Sequence, residues 1–189
     1  MVIDDIMRFL DQPYYVGLLT AAAIHGAAHH RPQEFQVVTD RPTSQITVGR
    51  VRIRFVQKCT IHEAAVQEVK TETGTMPVST PEETAFDLVH YAALASHLDN
   101  VATVLADLAP RLDPKRLVEV AAHFEESVAQ KLGYLLDRVG VTDRTAELDA
   151  WLNARNASRA PLVYGPRPFA GRVDPRWKVV VNRTIEAAD

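Results

Sequence analysis

The chain predicts an α+β fold: a small antiparallel or mixed sheet with an N-terminal helical pair, a helical C-terminal region and a returning strand. Three observations predict it. Short runs between residues 35 and 78 alternate apolar and polar residues and are bounded by turn-formers, as half-buried strands are. From residue 79 to about 157 the apolar residues recur at helical spacing. After a segment rich in proline and glycine, the β-forming run 177-WKVVVN-182 closes the chain.

Each element has its own local reason. Residues 2–11 place Ile3, Ile6, Phe9 and Leu10 on one helical stripe, and Pro13 ends that helix. Residues 14–28 read as a second helix with Leu18, Leu19, Ala22 and Ala23 as its apolar face and Gly26 near the exit. The runs 35-FQVVT-39, 51-VRIRFVQK-58 and 65-AVQEVKTE-72 read as strands, with 75-TMPV-78 as a further one, for a sheet of three or four. At 79-STPEETAFDLV-89 a helix starts on a capping box, with Thr80 as N-cap, Pro81 in the first helical position and Glu83 in the third. Helix breaks are expected near Asp99-Asn100, from Ala109-Pro110 to Pro114, and at Gly140; new helices start at Asp113-Pro114 and Thr142-Asp143. The stretch 161-PLVYGPRPFAGRVDPR-176 holds four prolines and two glycines and reads as loop. The whole is a single domain over 1–189, in three parts: helix plus sheet at 1–78, helices at 79–157, loop and returning strand at 158–189.

Composition excludes several classes. No apolar run approaches the roughly 20 residues needed to span a bilayer, and the acids in MVIDDIMRFLDQ are foreign to a secretory leader. The lone Cys59, read as a strand-end core residue, excludes an internal disulfide and a cysteine zinc cluster, which suits a cytoplasmic setting. Residues 1–60 hold 7 Lys/Arg against 5 acids, residues 161–189 hold 5 against 3, and residues 61–160 hold 9 against 16. Two mildly basic ends flanking an acidic middle do not make a whole-surface polyanion binder, but leave room for one local basic face.

The candidate chemistry is sparse. His25 and His29 are four apart, a spacing that could share a metal ion on a helix, but no acid lies between them and Gly26 ends the helix there. The reading is a helix exit whose imidazoles bond free carbonyls, with no metal and no cofactor. His62, His90, His97 and His123 read as single surface or half-buried residues. Glu82, Glu83 and Asp87 could hold a cation, although acids in a first helical turn are also what the helix dipole favours. No nucleophile elbow, phosphate loop or dinucleotide-binding glycine motif is present, which lowers the case for an enzyme without excluding one. One constellation points outward. In 50-RVRIRF-55, a period of two puts Arg50, Arg52 and Arg54 on one strand face and Val51, Ile53 and Phe55 on the other. With Arg41 and Lys58 nearby, that face suits phosphates or an acidic partner; equally, it suits a solvated face whose charges discourage edge pairing.

The order of these pieces resembles the AbiEi-type antitoxins of bacterial abortive-infection (phage-defence) toxin–antitoxin systems. The resemblance lies in 22-AAIHG-26, Pro32 with 35-FQVVT-39, the basic strand 50-RVRIRF-55, 79-STPEETAFDLV-89 and 177-WKVVVN-182. It implies an antitoxin antagonising a nucleotidyltransferase-like toxin in a type IV-like system, where a stable complex between the two is not required. It also implies an architectural role for His25 and Gly26. Family members typically carry an N-terminal winged helix that binds their own promoter. Nothing before Pro13 is long enough for one, so only the antitoxin part is expected here. Two alternatives remain: a DNA-binding regulator of its own operon that uses the arginine strand, and an atypical kinase-like enzyme that modifies the toxin.

Overall fold

The computed structural model of the protein describes residues 2–27, 32–71, 74–165 and 169–186. In chain order the elements are α1 (Val2–Leu10), β1 (Tyr14–Val16), α2 (Leu18–Ile24), β2 (Glu34–Thr39), β3 (Ile46–Val48), β4 (Val51–Gln57), β5 (Val66–Thr71), β6 (Gly74–Ser79), α3 (Pro81–His90), α4 (His97–Leu108), α5 (Pro114–Ala121), α6 (Glu126–Arg138), α7 (Ala146–Ala154), β7 (Ala160–Pro161), β8 (Arg172–Val173) and β9 (Val179–Val181). The α+β class holds, with two mixed sheets instead of one.

The main sheet has six strands in the order β3-β4-β2-β1-β6-β5. β1 runs parallel to β6 and β2 parallel to β4, while β1/β2, β3/β4 and β5/β6 are antiparallel. The expected helix over 14–28 is corrected: its first three residues are the central strand β1. Tyr14, Tyr15 and Val16 are β-formers, and pairing on both sides outweighs the alanine-rich run that follows. Leu18, with φ +50, turns the chain sharply into a helix of only seven residues.

That helix ends as the sequence suggested. Gly26 takes φ +76, its N–H bonds the Ala23 carbonyl, and the Ala27 N–H bonds the Ala22 carbonyl. This is the Schellman pattern, which requires a left-handed residue that glycine supplies without strain.

Helix α1 lies on one face of the sheet, where Ile3 and Met7 pack with Val37 and Ile53. Phe9, expected on the same stripe, is 89% exposed. The other face carries the main core, which joins Tyr15, Val38 and Val56 to α3 through α7. Helix α6 is buried at every residue from 128 to 136, which makes it the centre of the helical layer. The helix break expected at Asp99-Asn100 instead falls earlier, where Ser96 and His97 take φ +59 and +70 and α4 begins. Asp113 caps α5 by accepting from the Lys115 and Arg116 amides, and Gly140 (φ +82) follows α6. The helix expected from Thr142-Asp143 begins at Ala146.

The closing run does not return to the main sheet. β9 pairs with β7 in parallel and with β8 antiparallel, forming a separate small sheet. Asp137 of α6 fastens it: its carboxylate accepts from Arg176 Nη1 at 2.8 and 3.0 Å, Trp177 Nε1 at 2.7 Å and Thr145 Oγ1 at 3.2 Å. The buried Trp177 ring lies directly on Gly133, where an added Cβ would sit 2.2 Å from a ring carbon. Gly133→Ala is therefore expected to displace Trp177 and destabilise the protein by ~3 kcal/mol, as overpacking a close-packed core does. Urea unfolding checks this; an unchanged midpoint would sink it.

Candidate functional site

The strongest charge cluster is inside the molecule. Along β4, Arg52, Arg54 and Val56 share one face, and Lys58, two residues further on, lies beneath α3. Residues four apart on a helix share a face, so Glu83 and Asp87 both look down on it. Lys58 Nζ donates to Glu83 Oε1 and, at 2.9 Å, to Asp87 Oδ1; its side chain is 7% exposed and the two carboxylates 0%. The Tyr15 hydroxyl donates to Asp87 Oδ2 at 2.7 Å, and the Ala65 amide to Glu83 Oε2 at 3.1 Å. The ammonium also lies over the Phe124 ring, 4.2 Å from its centroid.

One ammonium faces two carboxylates, and that imbalance sets the protonation. Burial alone would lower the Lys58 pKa, but Asp87 and Glu83 more than reverse it, so the lysine stays charged. Burial and the neighbouring Asp87 charge raise the Glu83 pKa against the pull of Lys58. Burial also raises the Tyr15 pKa, with Asp87 and Glu83 adding to it, which keeps the phenol a donor.

Lys58 is thus corrected: it is a sealed internal ion, not part of an outward basic face. Strand parity alone sets Lys58 on the face of Arg52 and Arg54, and the one sequence signal for a buried partner was the spacing of Glu83 and Asp87 on a single helix face. The capping box is half present. Thr80 Oγ1 accepts from the Glu83 amide at 3.3 Å and Pro81 opens the helix, but the Thr80 amide bonds the Ala65 carbonyl at 2.9 Å, because the Glu83 side chain serves Lys58. Glu82 points elsewhere, its Oε1 accepting from the Asp113 amide at 2.9 Å. Among the described residues no group of His, Cys, Asp or Glu is arranged to hold a metal ion.

The arginine strand is also partly corrected. Arg50 belongs to the two-residue turn joining β3 to β4, where Gly49 takes φ +62 as such hairpins require. Arg52 and Arg54 do share a face, and both converge on Glu34 of β2, at 4.0 and 3.2 Å. Register explains this: parallel pairing sets Glu34 opposite Arg52 and Gln36 opposite Arg54. Both arginine side chains remain about half exposed, at 50% and 41%. On the opposite face Ile53 is buried and Phe55 half-buried, but Val51 is 49% exposed, beside the turn of the hairpin. Arg41 is not in this patch. It follows the far end of β2, roughly 20 Å along the strand at ~3.3 Å per residue, and it bonds Asp11 O and Asp40. Cys59, expected in the core, is exposed.

His25 is buried at the helix exit, but bonds a different element from the one expected. Its Nε2–H donates to the carbonyl of Ser79, at the end of β6, at 2.7 Å. It therefore ties α2 to the sheet instead of capping its own helix. His29, the other member of the spaced pair, lies outside the described residues. No described helix is long and apolar enough to cross a membrane.

An α+β domain built around a sealed ion cluster, with a two-arginine clamp on the open end of its sheet, is the class of protein these features define. Residues 15–138 match the model of the AbiEi antitoxin C-terminal domain, more than half of the chain, and the protein belongs to that family. It thus carries an antitoxin domain of the kind found in toxin–antitoxin systems. The crystal structure of the RV2827C protein from Mycobacterium tuberculosis is similar in fold, with a TM-score of 0.61 at 16% identity. The match covers 94% of this chain and 65% of that one, so this chain spans under two thirds of that relative. No curated protein matches the chain in sequence. The matched region covers the ion cluster, the clamp and His25, and leaves out α1 and the small sheet.

Two outcomes are expected. Lys58→Ala should cost about 3–5 kcal/mol by stranding two buried carboxylates, whereas Lys58→Met combined with Glu83→Gln and Asp87→Asn should recover much of that loss. Denaturant melts that rank the triple variant below Lys58→Ala would reject this. The second concerns pH. Burial lowers the folded-state pKa of His25 below its usual 6.5. The unfolded chain then takes up the proton first, so this stability is present above pH 6.5 and is lost as pH falls from 6.5 towards the folded value. His25→Gln should flatten the loss of stability between pH 7 and pH 5; an unchanged pH slope would show that His25 does not titrate in folding.

Proposed function

We propose that the protein is an antitoxin that antagonises a nucleotidyltransferase-like toxin in a type IV-like system, acting by binding and not by catalysis. The observation that carries the reading is the family match across the fold elements that hold the clamp and the ion cluster. The burial of Lys58, Glu83 and Asp87 supports a non-catalytic role, because the groups best suited to proton transfer have no access to a substrate. Arg52 and Arg54 share the single Glu34 carboxylate, which leaves guanidinium N–H groups free on a half-exposed surface. In this reading they receive acidic groups of the partner, with Arg50 adding charge at the turn. Glu34 already offsets part of that charge, which favours a protein partner over a DNA backbone.

The triple variant Arg50→Ala/Arg52→Ala/Arg54→Ala is expected to stay folded, because exposed ion pairs contribute about 0–1 kcal/mol. It should nonetheless rescue toxin-expressing cells poorly. Full rescue by this variant would return the clamp to a solvated face. Binding of operator DNA that weakens steeply with salt and is lost in the variant would move the function to operon regulation.

A further inference from the structure

Beside the ion cluster, a cleft of about 300 Å³ opens between the start of α3 and one face of α5. Ala65, Thr80 and Glu82 form one side, and Arg116, Glu119, Val120 and His123 the other. Glu82 is 1% exposed, and while its Oε1 serves the Asp113 amide, its Oε2 has no hydrogen-bond partner. An unmet buried carboxylate oxygen is costly, so the site lacks a donor. One water would meet the oxygen but would fill only a fraction of the space, since a water occupies roughly 30 Å³.

We propose that this cleft receives an arginine side chain from a protein partner, its guanidinium held by Glu82 at the floor and Glu119 at the rim. Two carboxylates favour a cation over a neutral donor. A metal ion is disfavoured, since no described group of side chains is arranged to hold one. A guanidinium presents several N–H groups in a fixed fork, so it can meet Glu82 Oε2 and still reach a second acceptor. Ala65 and the buried Val120 offer an apolar wall for the alkyl stem. Arg116, Glu119 and His123 are exposed, so the mouth faces solvent where a partner can insert. Arg116 is the one opposing charge and forms no ion pair with either carboxylate, so it should weaken binding without occupying the site. The identity of the partner as a toxin rests on the function proposed above; the chemistry of the cleft does not.

The test uses the purified full chain and blocked arginine, N-acetyl-arginine methylamide, with the citrulline analogue as the neutral isostere. His123 ring resonances report on the cleft. Saturable shifts are expected with the arginine compound and none with citrulline. Glu82→Gln should weaken binding at least tenfold, while its retained Oε1 still accepts from the Asp113 amide. Arg116→Gln should tighten binding several-fold. Glu119→Gln, at the exposed rim, should weaken it several-fold and gives a second reading if Glu82→Gln folds poorly. Absence of saturation, equal response to citrulline, or response to free arginine alone would overturn the proposal. Because no toxin is present, failure here leaves the antitoxin reading to be judged by cell rescue.

Discussion

A lysine ammonium held in the interior by two carboxylates is the constraint around which this domain is arranged. Lys58 ends the inward row of β4, Glu83 and Asp87 belong to α3, and Tyr15 belongs to the central strand β1. Each of these charges would be too costly to bury alone, so the three elements must meet in one relative position or not meet at all. The same cluster reaches further through Glu83, which holds the Ala65 amide next to the residue pair where β6 gives way to α3. Ion clusters of this kind often add less net stability than apolar residues would. What the contacts show here is that one cluster joins β1, the end of β4 and α3.

The helical layer is locked on its far side by a second convergence. Asp137 collects donors from Arg176, Trp177 and Thr145, and Gly133 lets the Trp177 ring lie against α6. Between them, the two convergences fix α3 and α6, the two helices that pack against each other at the centre of the main core. Because the interior is fixed in this way, the surface features can vary in chemistry without threatening the fold. The clamp at Glu34, Arg52 and Arg54 lies on the sheet's open end, and the Glu82 cleft lies beside the α3 start, so the protein presents a basic and an acidic feature on one scaffold.

Much of the fold was legible locally. Thr80-Pro81 starts α3, Asp113-Pro114 starts α5 and Gly26 ends α2, because capping depends on residues close in sequence. The strands at 35–39 and 51–57 followed from their period of two. What escaped were features set by distant partners. Tyr14-Tyr15-Val16 became a central strand because β2 and β6 flank it, which no local alternation records. The closing run found β7 and β8 instead of the main sheet, since its anchor, Asp137, is 40 residues away from Trp177.

For the candidate site the division is the same. The sequence by itself determined which residues could carry charge, which strand would show arginines on alternate positions, and which family the chain resembles, since those depend on residue type and spacing. Only the tertiary structure decided that Lys58 lies inside while Arg52 and Arg54, on the same strand face, lie outside. The face is continuous, but α3 covers only one end of it. Burial of a charge is decided by what packs above it, and the two carboxylates that make Lys58 tolerable there come from a helix that begins more than twenty residues later.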